Sequence, residues 1–247
     1  MSTRKTALIT GANKGLGREI ARQLGHKGYS VWLGCRDAVR GEQAAAALRE
    51  EGLDAHVLAL DVTRDASVKA AALTYGKTSD TLDVLVNNAG VATGGYTSPS
   101  AASLDDMRAV YEVNVFGPVR VTQAFVPFLR RSGQGRIVMM SSSLGSIGEQ
   151  LDMTSPTYGV NLLGYNSSKS ALNMITVSFA KELAAQGIKV NAANPGYVAT
   201  DLNDNQGYRS VKQGATVAVH LATLGPMGPT GGLFNDGSEA TLGRHAW

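Results

Sequence analysis

The feature that most constrains the fold is a short apolar run that leads directly into three closely spaced glycines. Residues Ala7-Leu8-Ile9-Thr10 predict a buried parallel strand, followed at once by Gly11-Ala12-Asn13-Lys14-Gly15-Leu16-Gly17 and by a predicted helix at Arg18–Lys27. In this context glycines can bind a dinucleotide, because the backbone approaches a pyrophosphate that sits on the helix N-terminus. The start of the chain therefore favours nucleotide binding over an ordinary turn, although its spacing is Gly-x-x-x-Gly-x-Gly.

Strand-like and helix-like segments alternate through the rest of the chain. Short apolar runs predict further strands at Ser30–Cys35, Ala55–Leu60, Leu82–Val86, Gly135–Met140, Ile188–Ala192 and Gly232–Asn235. Longer segments predict helices at Ala38–Glu51, Thr63–Tyr75, Leu104–Arg131, Tyr165 to about Lys189, and Val211–Thr223. The alternation predicts an α/β fold, a doubly wound Rossmann sheet of about seven parallel strands with helices on both faces. No linker or repeat divides the 247 residues, so we expect one domain over residues 1–247.

Charge and composition exclude several classes of function. The formal net charge is +3, and Lys and Arg are scattered without a basic block, which argues against a nucleic-acid surface. The single cysteine, Cys35, allows no intrachain disulfide. The N-terminus has no signal pattern and no run of about 18 apolar residues occurs, so we expect a cytoplasmic protein with no membrane partner. No metal site is predicted.

The residues after the second predicted strand bear on which dinucleotide is bound. In such folds an acidic residue near this strand end holds the ribose of NAD, whereas an arginine accommodates the extra 2′-phosphate of NADP. Here Arg36 and Asp37 follow the strand end. The guanidinium of Arg36 suits a phosphate, and Lys14 in the glycine loop could add a second positive charge. We therefore favour NADP(H), while Asp37 keeps NAD open and Arg36 could instead pair with Asp37 or solvent.

Polar residues and glycines follow four further predicted strands, at the carboxyl ends where open α/β sheets bind ligands. They are Asp61-Val62, Asn87-Asn88-Ala89-Gly90, Ser141-Ser142-Ser143 and Pro195-Gly196-Tyr197-Val198-Ala199-Thr200. Asp61 could bond an adenine amino group or cap the next helix, and the asparagines could instead satisfy local backbone groups. Asn114 lies in a helical segment beside Gly117 and Pro118, where it is either a satisfied polar group at a kink or the holder of a water.

Two tyrosines stand four residues before a lysine, a spacing that puts both side chains on one face of a helix. The pairs are Tyr165/Lys169 and Tyr208/Lys212. A neighbouring ammonium lowers the pKa of a phenol, which can then exchange protons near neutral pH. The spacing alone does not choose between the pairs, and either could be a solvated helix surface. Only the first pair has a serine-bearing strand end before it, so Tyr208/Lys212 is interpreted as a surface coincidence.

Together these motifs resemble the classical short-chain dehydrogenase/reductase family across essentially the whole chain. The matches to its cofactor loop and later signatures are Thr10-Gly11-x-x-x-Gly15-x-Gly17, Asp61-Val62, Asn87-Asn88-Ala89-Gly90 and Pro195-Gly196. The residues that look like its catalytic four are Asn114, Ser142, Tyr165 and Lys169, with Ser142 selected among three serines by the alignment from Ile137 to Gly145. The glycine loop, Cys35-Arg36-Asp37 and Arg40-Gly41 look like the NADPH-dependent, carbonyl-reductase-like members in particular.

The resemblance implies hydride transfer between NADP(H) and a small carbonyl or alcohol substrate. Tyr165 would be the general acid and base, Lys169 would lower its pKa and bind the nicotinamide ribose, and Ser142 would hydrogen-bond the developing oxyanion. Asn114 would hold a water that links Lys169 to solvent, and Thr200 would bond the nicotinamide amide. The implied cofactor contacts are Gly11, Asn13, Lys14, Gly15, Leu16, Gly17, Arg36, Asp61, Val62, Asn88, Ala89, Gly90, Tyr165, Lys169, Pro195, Gly196, Val198 and Thr200. The alternatives are an epimerase and a non-catalytic NADP-sensing module on the same fold.

The chain departs from the family around the expected mouth of the active site. Between Ser142 and Tyr165 lie 22 residues, where members usually have about a dozen, so 148–163 is partly an insertion that shapes substrate access or forms an external loop. The short polar segment Asp201–Ser210 implies a small substrate lid. The family's usual assembly implies a homodimer or homotetramer through 104–131 and 165–189. The C-terminal Arg244–Trp247 could reach a partner subunit.

Overall fold

The computed structural model describes residues 4–238 and 241–247, without the side chains of residues 237, 238 and 241. Its strands are β1 Thr6–Thr10, β2 Ser30–Cys35, β3 Ala55–Ala59, β4 Val84–Asn87, β5 Arg136–Met140, β6 Lys189–Ala193, β7 Leu233–Ser238 and β8 Thr241–His245. The α-helices are α1 Gly15–His26, α2 Ala38–Glu50, α3 Asp65–Gly76, α4 Leu104–Tyr111, α5 Gly117–Ser132, α6 Ile147–Leu151, α7 Leu163–Leu183 and α8 Val211–Ala222.

The strands form one mixed sheet in the order β3-β2-β1-β4-β5-β6-β7-β8. The pairs from β3 through β7 are all parallel, which confirms the predicted doubly wound α/β fold, while β8 adds an antiparallel edge strand that the sequence pattern did not predict. The strand order reverses between β1 and β4. In such sheets the crevice at the carboxyl ends beside this reversal is the usual ligand site.

Apolar side chains cover both faces of the sheet. All five residues of β1 are buried, so neighbours such as Leu8 and Ile9 point into different cores, as a strand's alternation requires. The core on one face includes residues of α1, α2 and α8, whereas the core on the other includes residues of α3, α5 and α7. Tyr75 of α3 lies in the second core, where its hydroxyl donates to the Thr81 carbonyl oxygen at 2.6 Å. Two packed faces therefore leave the strand ends as the place for a ligand.

The helical region predicted over Leu104–Arg131 is confirmed, and it is distorted close to Gly117 and Pro118. A π-helical turn at Glu112–Phe116 separates α4 from α5, and the N–H of Gly117 donates to the carbonyl of Glu112, five residues back. Pro118 explains the break, because it has no N–H for the carbonyl of Asn114 four residues earlier, and its ring would clash there. The widened turn places Asn114 in the buried interior. Wide turns of this kind occur frequently at functional sites.

The bounds around Tyr165 also differ from the prediction. Helix α7 begins at Leu163 and does not run to Lys189, because it ends at Leu183 and passes through a 3₁₀ turn to Gly187. Gly187 has a φ of 72°, which favours glycine and stops the helix. The expected insertion at 148–163, for which an external loop was one alternative, overlaps the short helix α6, whose first turn is capped by Ser146 accepting from the N–H of Glu149 at 3.1 Å. Tyr165 therefore lies within the first turn of α7.

Candidate active site

The glycine loop is fastened to the ends of two strands. The N–H of Gly11, which has a φ of 64°, donates to the carbonyl of Gly34 at 2.8 Å. The Asn88 side-chain amide donates to the carbonyl oxygens of Thr10 at 2.9 Å and Gly11 at 3.2 Å. In return the Thr10 hydroxyl accepts from the N–H groups of Asn88 at 2.9 Å and Ala89 at 3.0 Å. The structure thus places the Asn88 side chain against the loop, in the backbone-satisfying role that the sequence left open.

The N-terminus of α1 is open in a way that fits a pyrophosphate. Lys14 occupies the capping position without a side-chain cap hydrogen bond, and the first turn of α1 holds no acidic residue. Asp37, Ser103 and Ser210, in contrast, cap the helices that follow them. Uncapped N–H groups and the positive end of the helix dipole favour an anion. Gly15, with a φ of 54°, faces Thr200 at this opening, where an added Cβ would lie 3.9 Å from Thr200 Cγ2.

We call the crevice along the carboxyl ends of the strands the groove. At its far end the side chains of Arg36 and Asp37 differ in their contacts. The Asp37 carboxylate caps α2, accepting from the N–H groups of Val39 at 3.0 Å and Arg40 at 3.1 Å, and forms an ion pair with Arg40. Arg36 is exposed and makes no hydrogen bond or ion pair with any described residue. The alternative in which Arg36 pairs with Asp37 is therefore not what the structure shows.

Cys35 is buried, and burial raises the pKa of its thiol to about 11, so it is not a nucleophile.

Asp61 serves a local turn and keeps one oxygen free. Its Oδ1 accepts from the Thr63 N–H at 3.0 Å and hydroxyl at 2.7 Å, while Oδ2 has no partner among the described residues. Burial acts to raise the pKa of Asp61, but the Thr63 hydrogen bonds and the cations Arg36 and Arg64 outweigh it and hold the pKa below its usual value. Val62 is buried beside Gly117. Asp61 does not cap α3, whose capping position is Arg64 without a side-chain cap bond, so of the two alternatives only the adenine acceptor stays open.

An ion pair that the sequence reading missed spans the groove. Lys14 of the glycine loop bonds the carboxylate of Asp201, in the segment after β6, and both side chains are exposed. This bond is the largest cause of the lowered pKa of Asp201. The predicted second phosphate contact of Lys14 is thus occupied by a carboxylate from a position 187 residues away. No local sequence pattern indicates such a pair.

Ser142, Tyr165 and Lys169 meet where β5 ends and α7 begins. The Ser142 hydroxyl accepts from the Leu144 N–H at 3.2 Å, which leaves its own proton available to donate. Lys169 is 5% exposed, and its Nζ donates to the carbonyl of Met140 at 2.8 Å. The same Nζ lies 5.4 Å from the centre of the Tyr165 ring, so the two side chains share the helix face that the four-residue spacing predicts. Tyr208, in contrast, is 82% exposed, which fits a surface coincidence.

Desolvation by the surrounding protein, and not the charge of Lys169, dominates the pKa values of this pair, although Tyr165 is only partly buried. It raises the pKa of Tyr165 to about 12, with only the Ser142 hydroxyl acting to lower it. It also lowers the pKa of Lys169 to about 8. The prediction that Lys169 lowers the pKa of Tyr165 is therefore wrong. The phenol is protonated at neutral pH, whereas Lys169 can exist in both protonation states near that pH.

The side chain of Asn114 is fully engaged by the protein. Its Nδ2 donates to the Val91 carbonyl at 2.9 Å and to the Ser168 hydroxyl at 3.1 Å, and its Oδ1 accepts from the Val91 N–H at 2.9 Å. Gly90 lies beside it, since an added Cβ would be 3.5 Å from Asn114 Oδ1 and 3.7 Å from Lys169 Nζ. The side chain of Asn114 is therefore a satisfied polar group at a kink. A water held by Asn114 would have to bind its main-chain carbonyl.

The segment after β6 lines the groove with backbone and one hydroxyl. Gly196, with a φ of 74°, turns the chain and donates its N–H to Asn194 Oδ1 at 3.1 Å. Val198 is buried, its carbonyl accepts from Asn203 Nδ2 at 2.9 Å, and its N–H has no partner within the described ranges. Thr200 caps the 3₁₀ turn Asp201–Asn203 by accepting from the backbone, so its hydroxyl proton remains available.

The insertion meets the C-terminal residues of the same chain. His245 of β8 bonds the Glu149 carboxylate on α6 and lies 2.9 Å from Asn194 Nδ2. The Gly148 N–H donates to the Trp247 carbonyl at 3.1 Å. These residues were expected at a partner subunit, whereas the structure packs them on α6. Three large apolar side chains of the insertion are exposed, namely Leu151, Met153 and Tyr158, as is Ile147 directly before it.

Comparison with known proteins finds relatives over nearly the whole chain. The family model described as short chain dehydrogenase matches residues 5–210. The chain is 37% identical to Short-chain dehydrogenase anuI of Penicillium roqueforti, covering 99% of this chain and 98% of that protein. It superposes on an NADPH-bound carbonyl reductase from chicken fatty liver with a TM-score of 0.83 and 30% identity, covering all of both chains. A 3-ketoacyl-(acyl-carrier-protein) reductase from Brucella melitensis, complexed with NADH, gives a TM-score of 0.81 at 26% identity over 94% and 96% of the chains.

The close packing of the glycine loop predicts the effect of Gly17→Ala. An added Cβ would lie 2.4 Å from Asn88 Nδ2 and 2.5 Å from the Gly11 carbonyl oxygen, so the loop must shift. We expect the free energy of unfolding to fall by about 1–3 kcal/mol, as overpacking usually costs, together with loss of dinucleotide binding. Denaturant titration measures the free energy of unfolding, and a fluorescence titration measures dinucleotide binding. Gly225→Ala, where an added Cβ meets nothing within 4 Å, is the control and should change neither.

The buried ammonium predicts that Lys169→Met stabilises the protein below about pH 8. A pKa lowered from 10.5 to about 8 disfavours the charged form in the folded state, which corresponds to about 3 kcal/mol at 1.36 kcal/mol per unit. Because the unfolded chain binds more protons between these two values, wild-type stability rises with pH across that window. The advantage of the variant should therefore be largest below pH 8 and shrink towards pH 10.5.

Thermal or chemical denaturation of Lys169→Met at several pH values tests this expectation. Lys212→Met, which removes the exposed lysine of the other tyrosine–lysine pair, is the matched control and should show no such trend. A Lys169→Met protein whose stability relative to wild type is the same at pH 7 and pH 10 would contradict it.

Proposed function

The chain belongs to the short-chain dehydrogenase family, and we propose that it is an NADP(H)-dependent oxidoreductase that acts on a carbonyl or alcohol substrate, as a carbonyl reductase does. The observation that carries the proposal is the meeting of Ser142, Tyr165 and Lys169 at the strand ends beside an uncapped helix N-terminus. The open N-terminus fits a pyrophosphate, and the three side chains fit proton transfer to a carbonyl oxygen.

The reaction divides between the cofactor and two side chains. The nicotinamide supplies or accepts the hydride. Tyr165, protonated at neutral pH, donates its proton to the carbonyl oxygen during reduction. Ser142 donates a hydrogen bond to the same oxygen as negative charge develops, because its lone pair already accepts from the Leu144 N–H. In the oxidative direction the roles reverse, and Tyr165 must lose its proton before it can accept the proton of the alcohol.

Lys169 and Asn114 support the return of the proton. Lys169 uses one of its N–H groups on the Met140 carbonyl, which leaves the others for the nicotinamide ribose and for a water. A pKa of about 8 lets it pass a proton near neutral pH. The Asn114 side chain is occupied, so its main-chain carbonyl, which Pro118 deprives of the usual helical donor, is the group that would hold the water.

The preference for NADP(H) rests on Arg36. Solved relatives are similar to this chain whether NADPH or NADH is bound to them, so overall likeness does not decide the cofactor. Asp37 is engaged as the cap of α2, which removes the acidic group that would hold the NAD ribose. Arg36 remains exposed and unpaired among the described residues, in the position where a guanidinium can meet a 2′-phosphate.

A non-catalytic NADP-sensing module on the same fold is the second candidate, and turnover distinguishes the two.

We further propose that residues 1–247 act as one domain, because the sheet runs from Thr6 to His245. Within the described ranges no helix is long and apolar enough to cross a membrane, and we propose a cytoplasmic location. Exposed Leu104, Phe116 and Met174 support a homodimer or homotetramer through 104–131 and α7.

The assigned role of Tyr165 predicts that Tyr165→Phe still binds NADPH but reduces substrates at least about a hundredfold more slowly, since it removes the proton donor. The measurement is NADPH oxidation with a panel of aldehydes, ketones and diketones, beside a binding titration. Tyr208→Phe, a substitution at an 82% exposed tyrosine, should leave both unchanged. Normal turnover by Tyr165→Phe would falsify the mechanism, and an absence of any turnover by wild type across the panel would favour the sensing module.

The assigned role of Arg36 predicts that Arg36→Ala weakens NADPH binding by about 10- to 100-fold, the usual range for losing a charge-assisted hydrogen bond. NADH binding should change by less than about twofold, because NADH lacks the 2′-phosphate. Titration of both cofactors measures the ratio. Arg130→Ala, at the C-terminal end of α5, removes the same charge away from the groove and is the control. Wild-type turnover with NADH equal to that with NADPH would refute the assignment.

A further inference from the structure

One face of α7 carries a third polar residue in line with the candidate pair. Tyr165, Lys169 and Asn173 follow one another at intervals of four residues, so they lie along one stripe of the helix. Asn173 is 4% exposed, far too buried for a solvated side chain. A buried amide must satisfy its hydrogen-bonding groups within the protein. The partners of Asn173 therefore indicate its role.

Those partners lie on both sides of Ser142. The Ser141 hydroxyl donates to Asn173 Oδ1 at 2.6 Å, and Asn173 Nδ2 donates to the Gly145 carbonyl at 3.1 Å. Ser141 directly precedes Ser142, and Gly145 ends the 3₁₀ turn that follows it. One amide thus joins α7 to the two ends of the short segment that presents Ser142.

Apart from the contact of its hydroxyl with Tyr165, the bonds of Ser142 do not connect it to α7. Its hydroxyl accepts from Leu144, and its carbonyl accepts from the Gly145 N–H at 3.0 Å, so both bonds lie within the turn. The turn is also packed closely on the helix, because an added Cβ on Gly145 would be 2.6 Å from the Lys169 carbonyl carbon. Ser170 adds one bond, from its hydroxyl to the Gly145 carbonyl at 2.9 Å. Asn173 alone among these groups fixes both ends of the segment.

We propose that Asn173 is a positioning residue that sets the Ser142 hydroxyl relative to the Tyr165 hydroxyl, an inference that rests on the proposed function. Both hydroxyls must reach one carbonyl oxygen, and Tyr165 is fixed on the same helix as Asn173. A displacement of about 1 Å in such a site can reduce the rate by about 100-fold. The glycine loop and the helix N-terminus that would hold the pyrophosphate make no hydrogen bond with Asn173, so Asn173 acts on the chemical step and not on NADPH affinity.

The variant Asn173→Asp separates this role from general packing. It keeps the volume and the acceptor for Ser141, but it removes the donor to Gly145 and sets a carboxylate oxygen against that carbonyl. We expect kcat to fall by about 10- to 100-fold, with the Kd of NADPH within about twofold of wild type. Ser178→Ala, an exposed serine on α7, is the control and should change neither value.

A double-mutant cycle tests whether the effect passes through Ser142. In a Ser142→Ala background the added Asn173→Asp change should lower kcat by less than about twofold, because the hydroxyl to be positioned is gone. A purely structural role would instead lower kcat by the same factor in both backgrounds. Equal factors, or a normal kcat for Asn173→Asp alone, would overturn the proposal.

Ser141→Ala provides a milder variant if Asn173→Asp does not fold. It removes one hydroxyl, and we expect a kcat about 3- to 10-fold lower that again disappears in the Ser142→Ala background. A Ser141→Ala protein with equal losses in both backgrounds would overturn the proposal as well. The proposed function fails separately, since it requires Tyr165→Phe to be slow whatever the Asn173 variants do.

Discussion

Two close packing contacts hold the candidate site together, and each is made by a glycine because a larger residue would not fit. At Gly17, α1 approaches the end of β4 so nearly that a methyl group would overlap Asn88, and this approach brings the helix N-terminus to the switch point of the sheet. At Gly145 the turn after β5 rests directly on the backbone of Lys169. The first contact creates the place for the cofactor, and the second brings a serine next to a tyrosine. Hydrogen bonds from Asn88 and Asn173 then fix what the glycines make possible.

Buried charge places stability and chemistry in opposition at this site. Lys169 is nearly inaccessible, and among the described residues its ammonium has only the Met140 carbonyl as a hydrogen-bond partner, so the folded state bears a desolvation cost near neutral pH. The same desolvation brings its pKa into the range in which a proton can be exchanged. The large cores on both faces of the sheet supply the stability that lets the fold tolerate this residue.

The sequence predicted the local features well and the long-range ones poorly. The glycine loop, the parallel strands and the order of Ser142, Tyr165 and Lys169 follow from short patterns, and the predicted strand bounds agree with the structure to within about three residues. Pro118 indicated a distortion of the helix near Asn114, but the sequence did not predict that this distortion is a π-helical turn. The Lys14–Asp201 pair, strand β8 and the burial that sets the Tyr165 pKa depend on tertiary packing, which no local window contains.

The wide turn at Glu112–Phe116 has a consequence for how this chain can vary. An α-helix rotates by about 100° per residue, so the extra residue of the turn offsets everything before it relative to α5. Many substitutions there would keep that offset, whereas deletion of a single residue would restore regular winding and rotate α4 and Asn114 away from Val91. In a library of variants, this stretch should accept changes of residue type far more readily than changes of length.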